Sequence, residues 1–569
     1  MKEAVFNTLS IVLLCCLGIA IYSNTLAASF QFDDVNSVVE NSNIRNLTNL
    51  GAIWNFWPTR FVTFFSFAIN YHFGHLNVFG YHLFNIAIHL CSAILVWYFA
   101  LLAFAAPVMK NKEISRHARS IALFAGLVFV SHPIQIEAVT YISQRAASLA
   151  TLLYLASLCL YIRSRLARQG NKARLFYAGS LIAAILAIFS KEMTITLPLM
   201  VTLCEISFFS PKNKIDWKKI IPYLAVSLLV PLTMFATNSV NFLEVRRTAE
   251  TAPAISWPNY LLTEFRVMIT YIRLLFMPLN QNADYDYHIS KTLLEFPVLV
   301  SLALLVGIVA GAIRLFSKYT LISFGIFWFF VSLLPESSLI PLKYVIFEYR
   351  LYLAMAGYSI FLASAIYYIF GNSRAKLTFV ILIFIIACNS ILAYDRNFIW
   401  KDEFGLWNDT VGKSPEKARP YNNRGNAYIK TGKFCHAIQD YDLAIQLEPN
   451  EAAYYLNRAN AYYRKNMIGQ AISDYTKAIE IKPEWADLYI ARGVAYYQRG
   501  DLDNAIEDYT MAIKINPRNA YAYNNRGAAY HRKGNLDMAI SDYSEALRLS
   551  AGFKAAYINR SMAYLKKRA

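Results

Sequence analysis

Apolar runs of about twenty residues recur along the amino-terminal part of the chain, and they constrain its fold more than any other feature. They begin near Val5, return at short intervals and stop at Ala393. Each run is long enough to cross the hydrocarbon of a membrane as a helix. A membrane offers no water to the backbone, so a spanning segment must satisfy its own hydrogen bonds. The sequence therefore predicts an all-α, polytopic membrane domain over residues 1–397.

Positive charge indicates which loops face the cytoplasm. The chain carries a net charge of +18, and most of the excess lies in five short loops between apolar runs. Three of these loops are 107–119, 163–174 and 210–219, and the other two contain Arg314 and Arg374. Short basic loops face the cytoplasm, so this distribution explains the net charge without a nucleic-acid partner.

Placing those five loops inside predicts about eleven membrane helices, a cytoplasmic N-terminus and a C-terminus outside. The first helix is interpreted as retained rather than as a cleaved signal peptide. Two further stretches, 61–73 and 257–277, do not fit as crossings and are predicted to be interfacial or re-entrant on the outer face. The predicted spans are 5–23, 79–104, 118–136, 145–162, 175–190, 193–209, 220–237, 293–313, 319–334, 351–370 and 377–394.

From Arg424 onward the same residue types return every 34 positions. An Arg and, four residues later, a Tyr recur in successive units, and small residues and prolines recur at other fixed places. This period is the signature of the tetratricopeptide repeat, a helical hairpin that stacks on its neighbours. Residues 419–569 are predicted to form a solenoid of four complete repeats and a terminal helix, after a linker at 398–418.

Two series of polar side chains within the repeats suggest different roles. The repeated Arg is predicted to pair with an Asp on the second helix of its own repeat, at Asp440, Asp474, Asp508 and Asp542. The second series consists of amides, which offer both a donor and an acceptor to an extended peptide. It is predicted to bind peptide, the alternative being solvated asparagine. Its members are Asn423, Asn457, Asn525 and Asn559.

Charged residues at membrane depth are costly and suggest functional sites. Under the predicted topology, Asp33, Asp34 and other charged or polar residues gather at the outer ends of the helices. Paired carboxylates with arginines suit a transfer in which a base removes a hydroxyl proton and cations stabilise a departing phosphate. The alternative is that the two aspartates cap a short loop helix. The other residues are Arg60, His132, Glu137, Arg145, Lys191, Glu192, Glu348 and Arg350.

Several motifs occur in a fixed order along the membrane domain. They are FQFDDVNSVVENSNIRNL (30–47), GYHLFNIAIHL (80–90), HPIQIEAVTYISQRAASLATLLYLASLCLY (132–161), SKEMTITLPLMV (190–201) and EYRLYLAMAG (348–357). Together with the carboxy-terminal repeats, they resemble the transmembrane and tetratricopeptide-repeat (TMTC) type protein O-mannosyltransferases and their bacterial relatives. This resemblance implies a GT-C glycosyltransferase that uses a polyprenyl-phosphate sugar, with its active site and repeats on the same side of the membrane.

The resemblance also implies roles for particular residues. Asp33 and Asp34 match the family's acidic pair, and one of them is expected to be the catalytic base. Glu348, Arg350 and Tyr352 match an E-x-R-x-Y-like motif. The candidate contacts to the carrier phosphate are Arg60, Arg145, Lys191 and Arg350, and the residues expected to support them are Glu348, Tyr352 and His132.

One departure from the family pattern concerns Ala354 and Met355, where relatives tend to have Pro-Ser, and it leaves the local helix geometry open. No metal site is predicted, because His82 and His89 lie on an apolar helix and are better interpreted as core or interfacial histidines. A divalent metal is thus conceivable but unsupported, and no cofactor other than the sugar donor is predicted.

The sequence therefore predicts an integral-membrane glycosyltransferase that moves a sugar, such as mannose, onto a protein hydroxyl outside the cytoplasm. The repeats are predicted to bind the acceptor or a partner protein. Two alternatives remain open, an oligosaccharide ligase and a non-enzymatic membrane-anchored scaffold. The predicted location is the bacterial inner membrane, with the repeats in the periplasm, because no targeting feature accompanies the first helix.

Overall fold

A computed structural model shows a chain built from helices. The chain forms two compact units, Met1–Leu406 and Trp407–Ala569. Every regular element among the described residues is helical, which confirms the predicted all-α class. The structure describes residues 2–167, 170–210, 215–237, 255–337, 341–342, 344–371 and 374–568.

The first unit consists of long apolar helices joined by short helices and turns. Single turns of 3-10 or π helix lie at Ser23–Thr25, Val35–Val39, Ser42–Ile44, Pro58–Arg60, Glu113–His117, Pro133–Gln135, Ile142–Gln144, Glu192–Thr196, Glu205–Phe209 and Glu348–Arg350. The α-helices are α1 (Lys2–Tyr22), α2 (Leu50–Phe56), α3 (Phe61–Gly74), α4 (Val78–Ala105), α5 (Pro107–Lys110), α6 (Ala118–Ser131), α7 (Ile136–Thr140), α8 (Arg145–Leu166), α9 (Asn171–Ile188), α10 (Leu197–Cys204), α11 (Trp217–Ser227), α12 (Leu229–Ala236), α13 (Trp257–Phe276), α14 (Phe296–Leu315), α15 (Thr320–Leu333), α16 (Leu351–Phe370) and α17 (Ala375–Ile399).

Nine helical segments of the described chain are long and apolar enough to cross a membrane, as in a multi-pass membrane protein. They correspond to nine of the eleven predicted spans. Residues 168–169 and 211–214 of the predicted basic loops lie outside the described residues. The nine segments are Ala4–Thr25, Val78–Ala105, Ile142–Leu166, Asn171–Ile188, Glu192–Phe209, Trp217–Ala236, Phe296–Leu315, Glu348–Phe370 and Lys376–Ile399.

The two other predicted spans have less regular structures. The span predicted at 118–136 belongs to a bent pair, Glu113–Ser131 and Pro133–Thr140, whose axes differ by 52°. The bend falls at a proline, which lacks the N–H that would continue the first helix. The span predicted at 319–334 is the shorter apolar helix Thr320–Leu333. The nine segments, the bent pair and this helix account for all eleven predicted positions.

The stretches 61–73 and 257–277 form α3 and α13. Neither is among the described helices that are long and apolar enough to cross a membrane. One face of α13 is buried through Tyr260, Glu264 and Tyr271, whereas Trp257 at its start is exposed. Such an amphipathic helix suits an interface better than a crossing.

Small residues bring α15 and α16 into close contact. A Cβ atom added at Gly357 would lie 2.5 Å from the Trp328 ring, and one at Gly325 would lie 2.6 Å from the Gly357 carbonyl oxygen. The indole of Trp328 donates to the Leu353 carbonyl oxygen at 2.8 Å. Ala354 and Met355 follow as buried residues within a continuous helix, so the departure from the family pattern does not interrupt α16.

The second unit is a helical solenoid. Helix α18 (Glu403–Lys413) precedes the repeats. The paired helices are α19 (Ala418–Lys430) with α20 (Phe434–Leu447), α21 (Ala452–Arg464) with α22 (Ile468–Ile481), α23 (Ala486–Arg499) with α24 (Leu502–Ile515) and α25 (Ala520–Lys533) with α26 (Leu536–Leu549), followed by α27 (Lys554–Arg568). Four repeats and a terminal helix are therefore present, as predicted.

The predicted Arg–Asp pairing is confirmed in every complete repeat. Each guanidinium donates through Nε and Nη2 to both oxygens of one aspartate. A bidentate pair of this kind is stronger and more directional than a single contact. The pairs are Arg424–Asp440, Arg458–Asp474, Arg492–Asp508 and Arg526–Asp542, at 2.7–2.9 Å.

The third nitrogen of the same arginines links neighbouring repeats. Nη1 of Arg492 donates to Thr476 of the preceding repeat at 3.0 Å, and Nη1 of Arg526 donates to Thr510 at 3.1 Å. Each arginine therefore ties together the second helices of two successive repeats.

The same contact shows that the repeat pattern begins earlier than predicted. Nη1 of Arg424 donates to Asn408 on α18 at 3.0 Å, so α18 occupies the place of a second helix before the first repeat. The segment 398–418 is thus not a plain linker, because it holds the end of α17 and all of α18. The boundary between the compact units falls after Leu406, within the segment 398–418.

Replacing one arginine of this series should destabilise the solenoid. Arg492→Ala leaves Asp508 buried without its cation, which should lower the free energy of unfolding by about 3 kcal/mol. The amides of α23 and α24 should then exchange roughly a hundredfold faster. Hydrogen exchange of the full chain measures this change. The control is Lys477→Ala, which removes an exposed ion pair with Glu480 and should leave exchange nearly unchanged. Equal exchange in both variants would contradict the role assigned to Arg492.

Candidate active site

The first loop, residues 23–49, holds the acidic pair in a fixed turn. Asp34 is only 1% exposed. Its Oδ2 accepts from the Gln31 backbone N–H at 3.0 Å, and its Oδ1 accepts from the Ser143 N–H at 2.7 Å and from the Ser143 hydroxyl. Phe32, which lies between Gln31 and Asp34 in the turn, adopts a φ of +45°. Asp34 thus joins the first loop to the turn that precedes α8.

Burial also changes the acidity of Asp34. Loss of solvent raises the pKa of Asp34 from 3.8 to about 7, against the hydrogen bonds from Ser143 and Gln31, which lower it. A buried carboxyl with this pKa is largely protonated below neutral pH. Its chemistry therefore differs from that of an ordinary surface aspartate.

Asp33, unlike the buried Asp34, lies at the surface. It is exposed, and its backbone N–H donates to the Tyr141 hydroxyl at 2.9 Å. The Tyr141 ring stacks on Trp400, with centroids 5.6 Å apart, just beyond the end of α17. The backbone of Asp33 is therefore held in place, and its carboxylate also interacts with the Tyr141 hydroxyl.

The first loop packs on α3 through apolar side chains. Val38 and Ile44 are fully buried, in one cluster with Phe64 and Phe67 of α3 and with Ile142. The start of α3 is bound in turn to the segment before Lys191, because the Thr63 hydroxyl donates to the Ser190 carbonyl oxygen at 2.9 Å. These contacts connect the acidic pair to the cationic residues described next.

Three predicted phosphate ligands, Arg60, Lys191 and Arg350, each lie next to a carboxylate. Nε of Arg60 lies 3.2 Å from both oxygens of Glu192, and the two side chains are 31% and 29% exposed. Lys191 Nζ lies 3.2 Å from Glu336 Oε1. Arg350 Nε lies 4.0 Å from Glu336, and its Nη1 lies 4.0 Å from Glu264. We call these six residues the cation cluster.

The Tyr349 segment joins the cation cluster to the acidic pair. Lys191 Nζ lies 4.4 Å from the centre of the Tyr349 ring, and the Tyr349 N–H donates to Glu137 Oε2 at 2.9 Å. Glu137 belongs to α7, which leads directly into Tyr141 and Ser143 beside the aspartates. The acidic pair and the cation cluster therefore lie at the same end of the first unit.

Arg145, the fourth predicted phosphate ligand, is enclosed by protein. It is fully buried, and its Nε donates to Asn85 at 2.6 Å. Nη1 donates to Asn70 at 2.5 Å, and Nη2 donates to the Tyr81 carbonyl oxygen at 3.0 Å. These contacts favour a structural role that holds α8 against α3 and α4.

The predicted supporting residues are also deeply buried. Glu348 accepts four hydrogen bonds, from the Asn282 N–H, Tyr285, Gln281 and Arg396, at 2.6–3.2 Å. It therefore fixes the segment 281–285 and α17 around the turn that carries Arg350.

Tyr352 and His132 lie in the core rather than beside the cations. The Tyr352 hydroxyl lies 2.9 Å from Nδ1 of His89. His132 Nδ1 accepts from the Ile134 N–H at 3.2 Å, and its Nε2 lies 3.0 Å from the Leu275 carbonyl oxygen. His132 thus caps the helix after the bend and joins it to α13.

In the second unit, the amide series is partly engaged with itself. Asn457 donates to Asn422 of the preceding repeat at 2.8 Å, and Asn559 donates to Asn524 at 3.0 Å. These bonds connect the first helices of adjacent repeats. Peptide binding by this series stays a prediction. Its four members, Asn423, Asn457, Asn525 and Asn559, are all half-buried.

Sequence reasoning missed three residues of this site. Glu336 and Glu264 are the carboxylates that face Lys191 and Arg350, and Ser143 is the partner of Asp34. Glu264 lies in the stretch 257–277, for which the sequence predicted only an interfacial or re-entrant position. An acid directly after an apolar run, as at Glu336, was the available signal, since isolated charges beside a membrane usually have partners.

The raised pKa of Asp34 predicts a pH-dependent stability. The folded state retains a proton that the unfolded state loses near pH 3.8, so this group's contribution to stability falls as pH rises towards about 7. Relative to wild type, Asp34→Asn should therefore become more stable between pH 5 and pH 8, by at most about 3 kcal/mol. Thermal unfolding in detergent at several pH values measures the difference. Asp33→Asn, at the neighbouring exposed position, is the control, and a constant difference for Asp34→Asn would contradict the assignment.

The second unit matches known repeat families. A family model described as "TPR repeat" matches residues 425–466, 459–500 and 493–534, and one described as "Tetratricopeptide repeat" matches 520–553. Among solved structures, "Crystal structure of MamA" is 26% identical with a TM-score of 0.25, over 26% of this chain and 86% of that chain. "Crystal structure of YrrB: a TPR protein with an unusual peptide-binding site" is 24% identical with a TM-score of 0.26, over 28% and 84% of the two chains.

Over about three quarters of its length, the chain is similar to curated proteins named protein O-mannosyl-transferases. "Protein O-mannosyl-transferase Tmtc3" of Drosophila melanogaster is 25% identical over 78% of this chain and 55% of its own length. "Protein O-mannosyl-transferase F38B6.6" of Caenorhabditis elegans is 26% identical over 77% and 63%, and human "Protein O-mannosyl-transferase TMTC3" is 24% identical over 76% and 51%. The chain thus spans about half the length of the curated relatives it matches. These relatives confirm the predicted resemblance to TMTC-type protein O-mannosyltransferases.

Proposed function

We propose that this chain is a membrane glycosyltransferase that moves a sugar, mannose in the first instance, from a polyprenyl-phosphate carrier to a hydroxyl of a protein. The names of its relatives, protein O-mannosyl-transferases, support transfer of mannose to protein. The observation that carries the proposal is the arrangement at one end of the first unit. There, the exposed residue Asp33 lies at the same end as Arg60, Lys191 and Arg350, and Lys191 contacts the Tyr349 ring.

Asp33 is the proposed general base. Its carboxylate takes the proton from the acceptor hydroxyl, whose oxygen forms a bond to the anomeric carbon of the sugar. The bond between that carbon and the phosphate oxygen breaks, and its electron pair leaves with the carrier phosphate. Asp34 is proposed as a positioning residue, because its hydrogen bonds to Gln31 and Ser143 fix the turn while its burial disfavours ionisation.

The cation cluster is proposed to bind the carrier phosphate. Cations at a departing phosphate stabilise the charge that develops there. Arg60 is the most exposed of the three and is also within cation–π distance of Trp57, at 4.5 Å. Lys191 and Arg350 lie deeper and face Glu336. Arg145 has no place in this proposal, because its donors are used within the protein.

The repeats are proposed to bind the acceptor or a partner protein on the extracytoplasmic side. The Asn397 side chain donates to the Ile21 carbonyl oxygen at 2.9 Å, and the Ser29 N–H donates to the Lys401 carbonyl oxygen at 3.1 Å. The chain thus leaves the first unit at the end that carries the acidic pair. This connectivity supports repeats that begin on the same face of the membrane as the site.

Replacing Asp33 tests the proposed reaction. Asp33→Asn should reduce transfer by roughly 10²–10⁴-fold, because the amide cannot accept the hydroxyl proton. The assay uses purified protein in liposomes with polyprenyl-phosphate [³H]mannose and secreted proteins as acceptors, and counts label on protein. Asp34→Asn should lose less, since it alters only the support of the turn.

Asp409→Asn is the matched control, because Asp409 pairs with Lys413 on the helix before the repeats. It should retain wild-type transfer. A fully active Asp33→Asn protein would remove this residue from the mechanism, and a wild-type protein without any transfer would contradict the proposed function itself.

The proposal includes no metal ion. The base and the cations named above supply proton removal and phosphate stabilisation by themselves. Dialysis against EDTA should therefore leave the transfer rate of the wild-type protein within about twofold of the untreated sample. A loss of activity that Mg²⁺ or Mn²⁺ restores would show that a metal takes part.

A further inference from the structure

Lys191 and Arg350 approach one carboxylate, that of Glu336. Lys191 Nζ lies 3.2 Å and Arg350 Nε 4.0 Å from its oxygens. The side chains of Lys191 and Arg350 are buried, whereas that of Glu336 keeps 14% exposure. Two buried cations therefore depend on a counter-ion that water can still reach.

The contact between Arg350 and Glu336 is loose. Nη1 and Nη2 of Arg350 donate to the carbonyl oxygens of Val345 and Tyr344, both at 2.8 Å. Its Nε is buried and makes no hydrogen bond to any described residue. At 4.0 Å from Glu336 it is beyond hydrogen-bond distance. One donor of a fixed guanidinium is therefore available to another anion.

A phosphate group suits this position better than a carboxylate does. Its oxygens point in several directions, so one group can accept from an ammonium and from a guanidinium Nε at the same time. Charges buried beside a membrane must also remain compensated. When a phosphate enters, Glu336 can leave because the phosphate then compensates the charges of Lys191 and Arg350.

The other carboxylates of the cation cluster are held differently. Glu192 receives Arg60 Nε and also the Thr59 hydroxyl, at 2.6 Å, so several bonds oppose its release. Glu264 is fully buried on α13. Glu336 alone among the three combines partial exposure with few bonds.

We propose that Glu336 occupies the phosphate subsite formed by Lys191 and Arg350 and is displaced when the phosphate of the polyprenyl carrier binds. This inference rests on the proposed function of the cation cluster. Glu336 is thus a resident counter-ion that keeps the two cations compensated in the empty enzyme. It also lowers the affinity for the spent carrier, because the carboxylate competes for the same donors after each transfer.

The test measures binding of farnesyl phosphate, a short polyprenyl phosphate, to the full chain in detergent by isothermal titration calorimetry. Glu336→Gln should bind it roughly tenfold more tightly than wild type, because the competing negative charge is gone. Farnesol, which lacks the phosphate, should bind both proteins equally. Unchanged or weaker binding of farnesyl phosphate by a folded Glu336→Gln protein would overturn the inference.

Glu205→Gln is the matched control. Glu205 is also buried and accepts from Arg165 at 2.6 Å, but Arg165 lies about 30 Å along α8 from Arg145, at the other end of the helix. Its replacement should leave the affinity for farnesyl phosphate within twofold. If Glu336→Gln does not fold, Glu336→Asp keeps the charge but withdraws it from Lys191, and should tighten binding by about threefold. Unchanged or weaker binding by Glu336→Asp would then overturn the inference.

Two further arms separate the possible outcomes. Inorganic phosphate should bind Glu336→Gln more tightly as well, and tightening for inorganic phosphate alone would overturn the assignment to the carrier. Asp409→Asn, which removes the pair with Lys413 on the helix before the repeats, should bind farnesyl phosphate like wild type. The sugar-transfer assay is scored separately, so a protein that transfers sugar but shows no effect of Glu336→Gln contradicts only this inference.

Discussion

Charge buried at the end of an apolar bundle must be compensated, and this requirement organises the first unit. Arg60, Lys191 and Arg350 each have a carboxylate within 4.0 Å, and Glu348 receives Arg396 together with three neutral donors. An uncompensated charge there would cost several kcal/mol. These pairs connect segments far apart in the sequence, so they fix the turns that interrupt the long helices. The candidate site is the group of turns held in this way.

The repeats meet a related requirement without a membrane. The repeated aspartates of the second helices are buried, and each is compensated by a guanidinium that also reaches the preceding repeat or, for Arg424, helix α18. One side chain therefore stabilises the hairpin and its stacking at once. Glycines on the first helices let the repeated tyrosines of the second helices pack closely within each hairpin. A Cβ atom at Gly493, for example, would lie 2.7 Å from the Tyr509 ring.

Features that recur at regular intervals along the sequence were predictable from the chain alone. The 34-residue recurrence identifies both partners of the Arg424–Asp440 pair, because they lie at a constant separation within each unit. The apolar runs likewise locate the helices, since bilayer thickness sets their length. The predicted gathering of charges at one end of the bundle follows from their cost within hydrocarbon.

Pairings between distant segments were not predictable in this way. Nothing in the sequence near Arg145 shows that Asn85 and Asn70 accept its hydrogen bonds, so it was grouped with the phosphate candidates. Lys191 and Glu192 are adjacent, yet they turn to different partners, Glu336 and Arg60, because the extended backbone at Lys191 directs successive side chains apart. Such choices depend on how turns meet in three dimensions.

The contact from Arg424 to Asn408 has a consequence for how the solenoid loses structure. Stacked repeats unravel from their ends, where a helix has a neighbour on one side only. Here the amino-terminal end of the stack is closed by α18, which is separated from the end of α17 by three residues. Unzipping from that end would first have to break the cap, so local opening should start elsewhere in the stack. A fragment cut at residue 419 would lack this closure and would fray at its first hairpin.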